Sequence, residues 1–296
     1  MKPVMLTFDF GDEAFQARLL TEKAPIICRQ VVAHLPVKTF AVHAKFAGEE
    51  LITMVPFFAE PENEILDVRA GDIGYYPGRQ TFCLFYGHVV PFGEVSVFAS
   101  VIDPPEKLKA LGVRVLKSGS LPLQIRAGEG AIPHSEPVET ASVGSLASGL
   151  RIPWIDEFHD AIWEMAPSDL ARLTRVSRPP MGNLPCVLYA CFNLFWLGEE
   201  LQVARQLARD QSLPLASIQK ILASLLLRHA GRLEKWDMIE STEFLRRLSD
   251  LFLHEVRSLE TCLSVIDQVL VAVDRLQSWV DTLVPWARLD SRLLRN

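Results

Sequence analysis

The stretch Asn63–Gly87 constrains the fold more than any other part of the chain. Ile73-Gly74-Tyr75-Tyr76 is aromatic and β-inclined, Gly71-Asp72 supplies a turn ahead of it, and Pro77-Gly78 a reversal after it. Thr81 to Tyr86 then runs almost wholly apolar or aromatic until Gly87 closes it. This pattern predicts a hairpin whose second strand is buried on both faces. A hairpin of that kind needs further strands to cover it, so residues 1–126 are read as a small closed β structure.

The flanking segments supply those strands. Val4 to Phe10 alternates and is turned by Gly11-Asp12, Phe15 to Leu20 returns, and Phe40 to Phe46, Leu51 to Phe58 and Val95 to Ile102 are further strands. Ala24 to Leu35 reads as a helix: Thr21 or Glu22 can cap it, Pro25 suits its first turn, and Ile27, Val31 and Leu35 share a face until Pro36 ends it.

The run Gly71–Gly78, followed by Phe82-Cys83-Leu84-Phe85-Tyr86-Gly87, resembles the signature of bacterial cyclophilin-like proteins of unknown function, a family with a small β-barrel. His34-Leu35-Pro36, His43-Ala44-Lys45 and Glu49-Glu50-Leu51 are similar too, and the likeness covers roughly the first 105 to 125 residues. It implies a barrel fold. Prolyl isomerases of that fold carry a phenylalanine-histidine-arginine triplet in the groove; the nearest run here, Val42-His43-Ala44-Lys45, lacks the arginine, so an isomerase ranks last among the implied activities.

Composition then changes along the chain. From Leu121 to Leu150 Gly, Ser, Ala, Pro and Glu dominate and apolar periodicity vanishes, so residues 127–150 are read as a flexible linker. All six tryptophans follow that segment, while 13 of the 16 glycines fall at or before Gly149. Two domains are therefore expected, a barrel over 1–126 with one or two helices and an all-α domain over 151–296, an α+β architecture overall.

In the second domain Trp154 to Met165 reads as a short amphipathic helix, and Pro167-Ser168-Asp169 starts another that Arg178-Pro179-Pro180 stops. Leu184 to Ala208 is apolar on almost every side through Trp196. Ser212 is read as the N-cap of a helix over Leu215–His229, with Gly231 at its C-terminal end. Leu245, Phe252, Leu259, Ile266, Val273 and Val280 recur every seven residues, which predicts one long helix from Ser241 or Thr242 to Leu283. A rod of that length exceeds the width of such a domain, so part of its seam is expected to bind a second copy in a homodimer.

Bulk properties exclude several classes. A net charge of −6 disfavours nucleic-acid binding, which needs a basic face. The apolar start before Asp9 is too short for a signal peptide, and the longest uncharged stretch falls short of a membrane span. Five scattered cysteines without a CxxC point to buried, reduced thiols in a cytoplasmic protein, with no zinc or thioredoxin site. GxGxxG, Walker, GxSxG and HExxH motifs are missing and no histidines pair at helical spacing, so neither cofactor nor metal is expected. Asp156, Asp160 and Glu164 share one helical face beside His159, read as a solvated edge rather than a metal or acid/base site.

The candidate ligand-binding set is His43, Lys45, Tyr75, Tyr76, Arg79 and Tyr86. His43 and Lys45 lie two apart on a strand and point the same way, a combination suited to a carboxylate or carbonyl. Tyr75, Tyr76 and Tyr86 offer aromatic walls with hydroxyl tips, and Arg79 a second cation. The alternative is a satisfied strand histidine, a solvated lysine and tyrosines that fill a barrel. The function expected is binding of a small carboxylate, an amide or a peptide in a barrel groove, with a helical assembly domain; the alternative is an enzyme, or enzyme subunit, acting on small or cyclic amides.

Overall fold

A computed structural model describes residues 4–44, 47–128, 152–175 and 184–284. These divide into two compact units, one ending at residue 128 and the other starting at 152.

The first unit is a closed antiparallel barrel. Its strands are β1 (Met5–Asp9), β2 (Ala14–Leu19), β3 (Val37–His43), β4 (Gly48–Met54), the short β5 (Glu64–Ile65), β6 (Asp72–Tyr76), β7 (Thr81–Val89), β8 (Val95–Val101) and β9 (Ser120–Ala127). Eight of them run in the order β2-β1-β9-β3-β4-β7-β6-β8, and β8 pairs back onto β2, so no edge remains; β5 adds only to β8. The predicted hairpin is β6–β7, turned through Pro77-Gly78 with Arg79 N–H donating to Tyr76 O at 3.2 Å.

Register fixes which side chains point inward. Cross-strand partners place Phe8, Phe15, Leu51, Ile73, Leu84 and Ile125 on one face, all of them buried. Gln16, Arg18, Lys38 and Arg126 take the opposite, outer face. The lumen is packed solid, with Phe82 against Tyr75, Phe57 and Phe98 at centroid distances of 6.5, 6.1 and 4.6 Å. Helix α1 (Pro25–Ala33) buries Ile27, Cys28 and Val31, and its cap is Glu62, which accepts from Ile27 N–H at 2.6 Å, rather than Thr21 or Glu22. Helix α2 (Pro105–Ser118) packs on β3, β4, β7 and β9.

β9 closes the ring between β1 and β3, with Phe8 opposite Ile125 and Val37 also opposite Ile125. The sequence reading let its composition shift begin at Leu121; Leu121, Leu123 and Ile125 in fact alternate into the barrel. The rest of the expected linker, residues 129–150, lies outside the described residues.

The second unit is helical: α3 (Pro153–Glu164), α4 (Ser168–Arg175), α5 (Leu184–Arg209), α6 (Leu215–Glu234), α7 (Ile239–His254) and α8 (Leu259–Thr282). The expected single helix over 241–283 is two helices. Ser258 caps α8 by accepting from Thr261 N–H at 3.1 Å, and Gln219 of α6 donates at 2.8 Å to both Phe252 O and Val256 O, closing the end of α7. The break lets α7 pack on α6 while α8 packs on α5. Of the seven-spaced row, Leu245, Phe252, Ile266, Val273 and Val280 are buried within the chain, so this row leaves no seam for a second copy. Two further caps differ from expectation: α6 is preceded by Pro214 instead of a Ser212 cap, and it runs past Gly231 because one more turn buries Leu233.

Helix α8 is buried nearly all round. Along its contact with α5, Asp267 meets Arg205 at 2.5 Å, Asp274 lies over Gly198, and Cys191 Sγ donates to Asp281 Oδ1 at 3.0 Å, a polar ladder with a seven-residue step on both helices. Asp169 of α4 caps α7 from outside, accepting from Glu240 N–H at 3.1 Å and from Ser241 N–H and Oγ at 2.7 and 2.6 Å. Among the described residues no helix is long and apolar enough to cross a membrane.

Candidate functional site

The predicted site residues separate into three places. His43 ends β3 and points inward, and its Nε2 lies 2.7 Å from Tyr86 Oη. Its Nδ1 is 2.7 Å from Ala44 O, which can only accept, so Nδ1 carries the proton and Nε2 accepts from the tyrosine hydroxyl. Burial, with Glu49 nearby, pushes the Tyr86 phenol up to about 12. The Tyr86 ring lies against Gly112 of α2, where any Cβ would run into it. This pair closes the barrel beneath α2.

Tyr75 is core: it is fully buried and its hydroxyl accepts from Ala59 N–H at 3.0 Å. Tyr76 and Arg79 lie at the opposite end of the hairpin. Tyr76 pairs with Thr81, five residues along β7 from Tyr86, or about 17 Å at ~3.4 Å per residue. Lys45 lies outside the described residues. The structure thus brings His43 and Tyr86 together, and Tyr75, Tyr76 and Arg79 not to them.

A group that the sequence reading passed over stands on the outer face. Glu50 pairs with Phe85, on the side opposite Leu51 and Leu84, where a barrel carboxylate normally meets water. It is only 4 % exposed. Its neighbours on this side include Cys83, Phe85, Val95 and Val97, a buried apolar cluster against which Ile52, Ile65, Val68 and Tyr76 pack. Burial pushes the Glu50 carboxyl up to about 7, and the Cys83 thiol, hydrogen-bonded to it, only partly offsets that. Burial and Glu50 together hold the Cys83 thiol well above its usual range, against smaller opposing effects of Thr81 and Arg79.

Glu50, Cys83, Thr81 and Arg79 therefore form one electrostatic group, and Tyr76 borders it. Tyr76 can fold back over its turn because Gly78 lacks the Cβ that would come within 2.8 Å of its ring. Near neutrality Glu50 interconverts between acid and carboxylate, so it can both donate and accept a proton. The clue in the sequence was that Glu50 shares strand parity with Ile52 and Met54, an acid on an apolar row.

Elsewhere on the barrel, a cleft of about 680 Å³ is lined by Gln16, Asp103, Lys107 and Arg126 among others. Its charges are matched: Lys107 pairs with Asp103 at 3.0 Å and Arg126 with Asp9 at 3.3 Å. In the second unit, His159 is buried against Trp163 instead of standing on the solvated edge, while Asp160 is exposed; the Glu164 side chain lies outside the description. Among the described residues, no group of three or more His, Cys, Asp or Glu is placed to hold a metal ion.

With this geometry in place, comparison with known proteins adds a family match and two solved structures. Residues 6–126 match a family described as "Protein of unknown function (DUF3830)". That span is the barrel. The whole chain is similar to the structure of McbB in complex with tryptophan, with a TM-score of 0.75 at 14% identity, covering 98% of this chain and 99% of that one. At that identity the likeness is one of fold, and it extends over both units. The solution structure of the hypothetical protein AF2241 from Archaeoglobus fulgidus is 22% identical over 43% of this chain and 95% of its own, with a TM-score of 0.35. No curated protein matches the chain.

Proposed function

We propose that this DUF3830-type barrel binds a small nitrogen-bearing molecule, an amine or amide, against its outer face, with Glu50 as the group that recognises it. The observation that carries this reading is a carboxyl held at about 7 on an apolar, buried sheet face. An amine there would ion-pair with the carboxylate and an amide would accept from the acid, while Tyr76 and Ile52 offer apolar contact. That a protein of the same overall fold was solved with tryptophan, itself an amine joined to an aromatic ring, supports this ligand class. The resemblance to cyclophilin-like barrels adds the expectation of a ligand groove on the barrel. The five cysteines, all of them buried thiols, support a reducing, cytoplasmic setting.

Turnover is the second reading, favoured by one observation: a carboxyl at about 7 is tuned for proton transfer at neutral pH. A thermal-shift screen of amines, amides and amino acids including tryptophan, run on the wild type, Glu50→Gln and Glu50→Ala, tests the binding reading. Ligands that stabilise the wild type should lose most of that effect in Glu50→Ala, and the amines in Glu50→Gln as well. Equal stabilisation of all three proteins would remove Glu50 from the site. Turnover of a stabilising amide, lost in Glu50→Gln, would promote the enzymatic reading.

A further inference from the structure

The cleft on the barrel lies where a sheet face would ordinarily be open. Gln16, Thr7 and Arg126 stand in one cross-strand row over β2, β1 and β9, on the outer side of the barrel. Thr7, in the middle of the row, is nevertheless only 7% exposed. The chain leaving β8 makes one wall: Ile102 N–H donates to Gln16 O at 3.0 Å and Gln16 N–H to Asp103 Oδ2 at 2.6 Å, which stands the lead-in of α2 beside β2. The end of β9, from Arg126 to Gly128, makes the other. The recess between them measures about 680 Å³, within the range of about 300–1,000 Å³ usual for small-molecule sites.

Two cations reach this recess, Lys107 from the first wall and Arg126 from the second, so they stand on either side of Thr7. The carboxylates that hold them are already engaged. Asp103 Oδ2 takes Gln16 N–H and Asp9 Oδ1 takes Gly11 N–H, which leaves one oxygen each for Lys107 at 3.0 Å and Arg126 at 3.3 Å. Each cation thus spends one donor on the pairing that fixes it and keeps the rest. The Thr7 hydroxyl and the Gln16 amide, both in the lining, have no hydrogen-bond partner among the described residues. Partly exposed ion pairs add little to stability, so stability alone does not account for setting two of them around one recess. With Asp103 the only acid in the lining, the cleft carries an excess of positive charge on a chain whose net charge is −6. We propose that it binds a small organic anion, its carboxylate or phosphate oxygens held by Arg126, Lys107 and Thr7 and its carbon skeleton against the half-exposed Ile102. The Cα atoms of Gln16 and Arg126 are about 10 Å apart at ~4.8 Å per strand, a span suited to a ligand of a few carbons. This site is separate from Glu50 on β4 and does not depend on it.

Isothermal titration calorimetry of the full chain, in a chloride buffer of fixed ionic strength, tests this with succinate and inorganic phosphate as probes. At least one of them should bind the wild type; succinate alone would assign the cleft to carboxylates and phosphate alone to phosphate esters, and either result supports the proposal. Arg126→Gln and Lys107→Gln should each weaken that binding roughly tenfold or more, and Thr7→Val about three- to tenfold. Arg114→Gln removes a barrel cation that pairs with Asp12 outside the cleft lining, and should leave the binding unchanged. If Arg126→Gln melts early, Arg126→Lys, which keeps the charge and loses the planar fork, takes its place and should weaken binding as well. No binding of either probe at about 10 mM, binding that survives both Arg126→Gln and Lys107→Gln, or a loss as large in Arg114→Gln would each overturn the proposal.

Discussion

Glu50 couples the stability of the barrel to pH. Its carboxyl is raised from the ordinary 4.5 to about 7, so the native state holds the proton more tightly than the unfolded chain does. The resulting stabilisation is fully present below about pH 4.5 and is lost as pH rises through about 7. At ~1.4 kcal/mol per unit the loss is about 3 kcal/mol. Glu50→Gln should abolish this dependence, so that urea unfolding at pH 8 finds the variant more stable than the wild type; parallel pH profiles for the two would refute the assignment. At the other end of the barrel, Tyr86→Phe deprives His43 Nε2 of its donor and should cost about 1 kcal/mol, whereas Gly112→Ala, which overpacks the Tyr86 ring, should cost about 1–3 kcal/mol. Thermal melts of the two variants would show that order. Glu50 escaped the sequence reading because Glu49-Glu50 looked like the polar start of a strand. Alternation gives the face on which a residue stands but not whether that face is covered, and outer faces of barrels are usually wet. His43 and Tyr86 were visible as residue types, yet their meeting depends on two strands that are distant in sequence.

Elements were legible where their signal was local. The β6–β7 hairpin carries its own turn residues and alternation, so it was readable in isolation. β9 was not: Leu121, Leu123 and Ile125 make a short alternation beside Gly and Ser, and only its partners β1 and β3 make it a strand. The break between α7 and α8 was hidden for a different reason. A short interruption that keeps the seven-residue phase leaves periodicity intact, and the signal for stopping was the cap pair, Ser258 from within and Gln219 from another helix. Gln219→Ala should leave the carbonyls of Phe252 in α7 and of Val256 just beyond it without that donor and lower stability by about 1–2 kcal/mol, measured by urea unfolding. Asp169→Ala strips three hydrogen bonds from the start of α7 and should cost more, about 2 kcal/mol or above. If Asp169→Ala proved the milder of the two, the capping assignment would be wrong.

The division of the whole chain into a sheet-built and a helix-built part was written in residue types, with glycine gathered before residue 150 and tryptophan after it. The similarity to McbB, at 14% identity over nearly the whole of both chains, is one of fold. Every barrel pairing is made within residues 5–127, so a chain of residues 1–128 should fold alone, with β-type circular dichroism and a cooperative melt, while a chain ending at Gly119 should not.

That closure imposes an order of events during synthesis. Leu6 waits for Ala127, so as the chain leaves the ribosome the first strand emerges long before its second neighbour has been translated. Until then β1 and β3 each present a row of unsatisfied amides, the surface on which nascent sheets stick to one another. A ribosome-stalled chain should therefore bind a holdase chaperone until β9 has cleared the exit tunnel and release it afterwards.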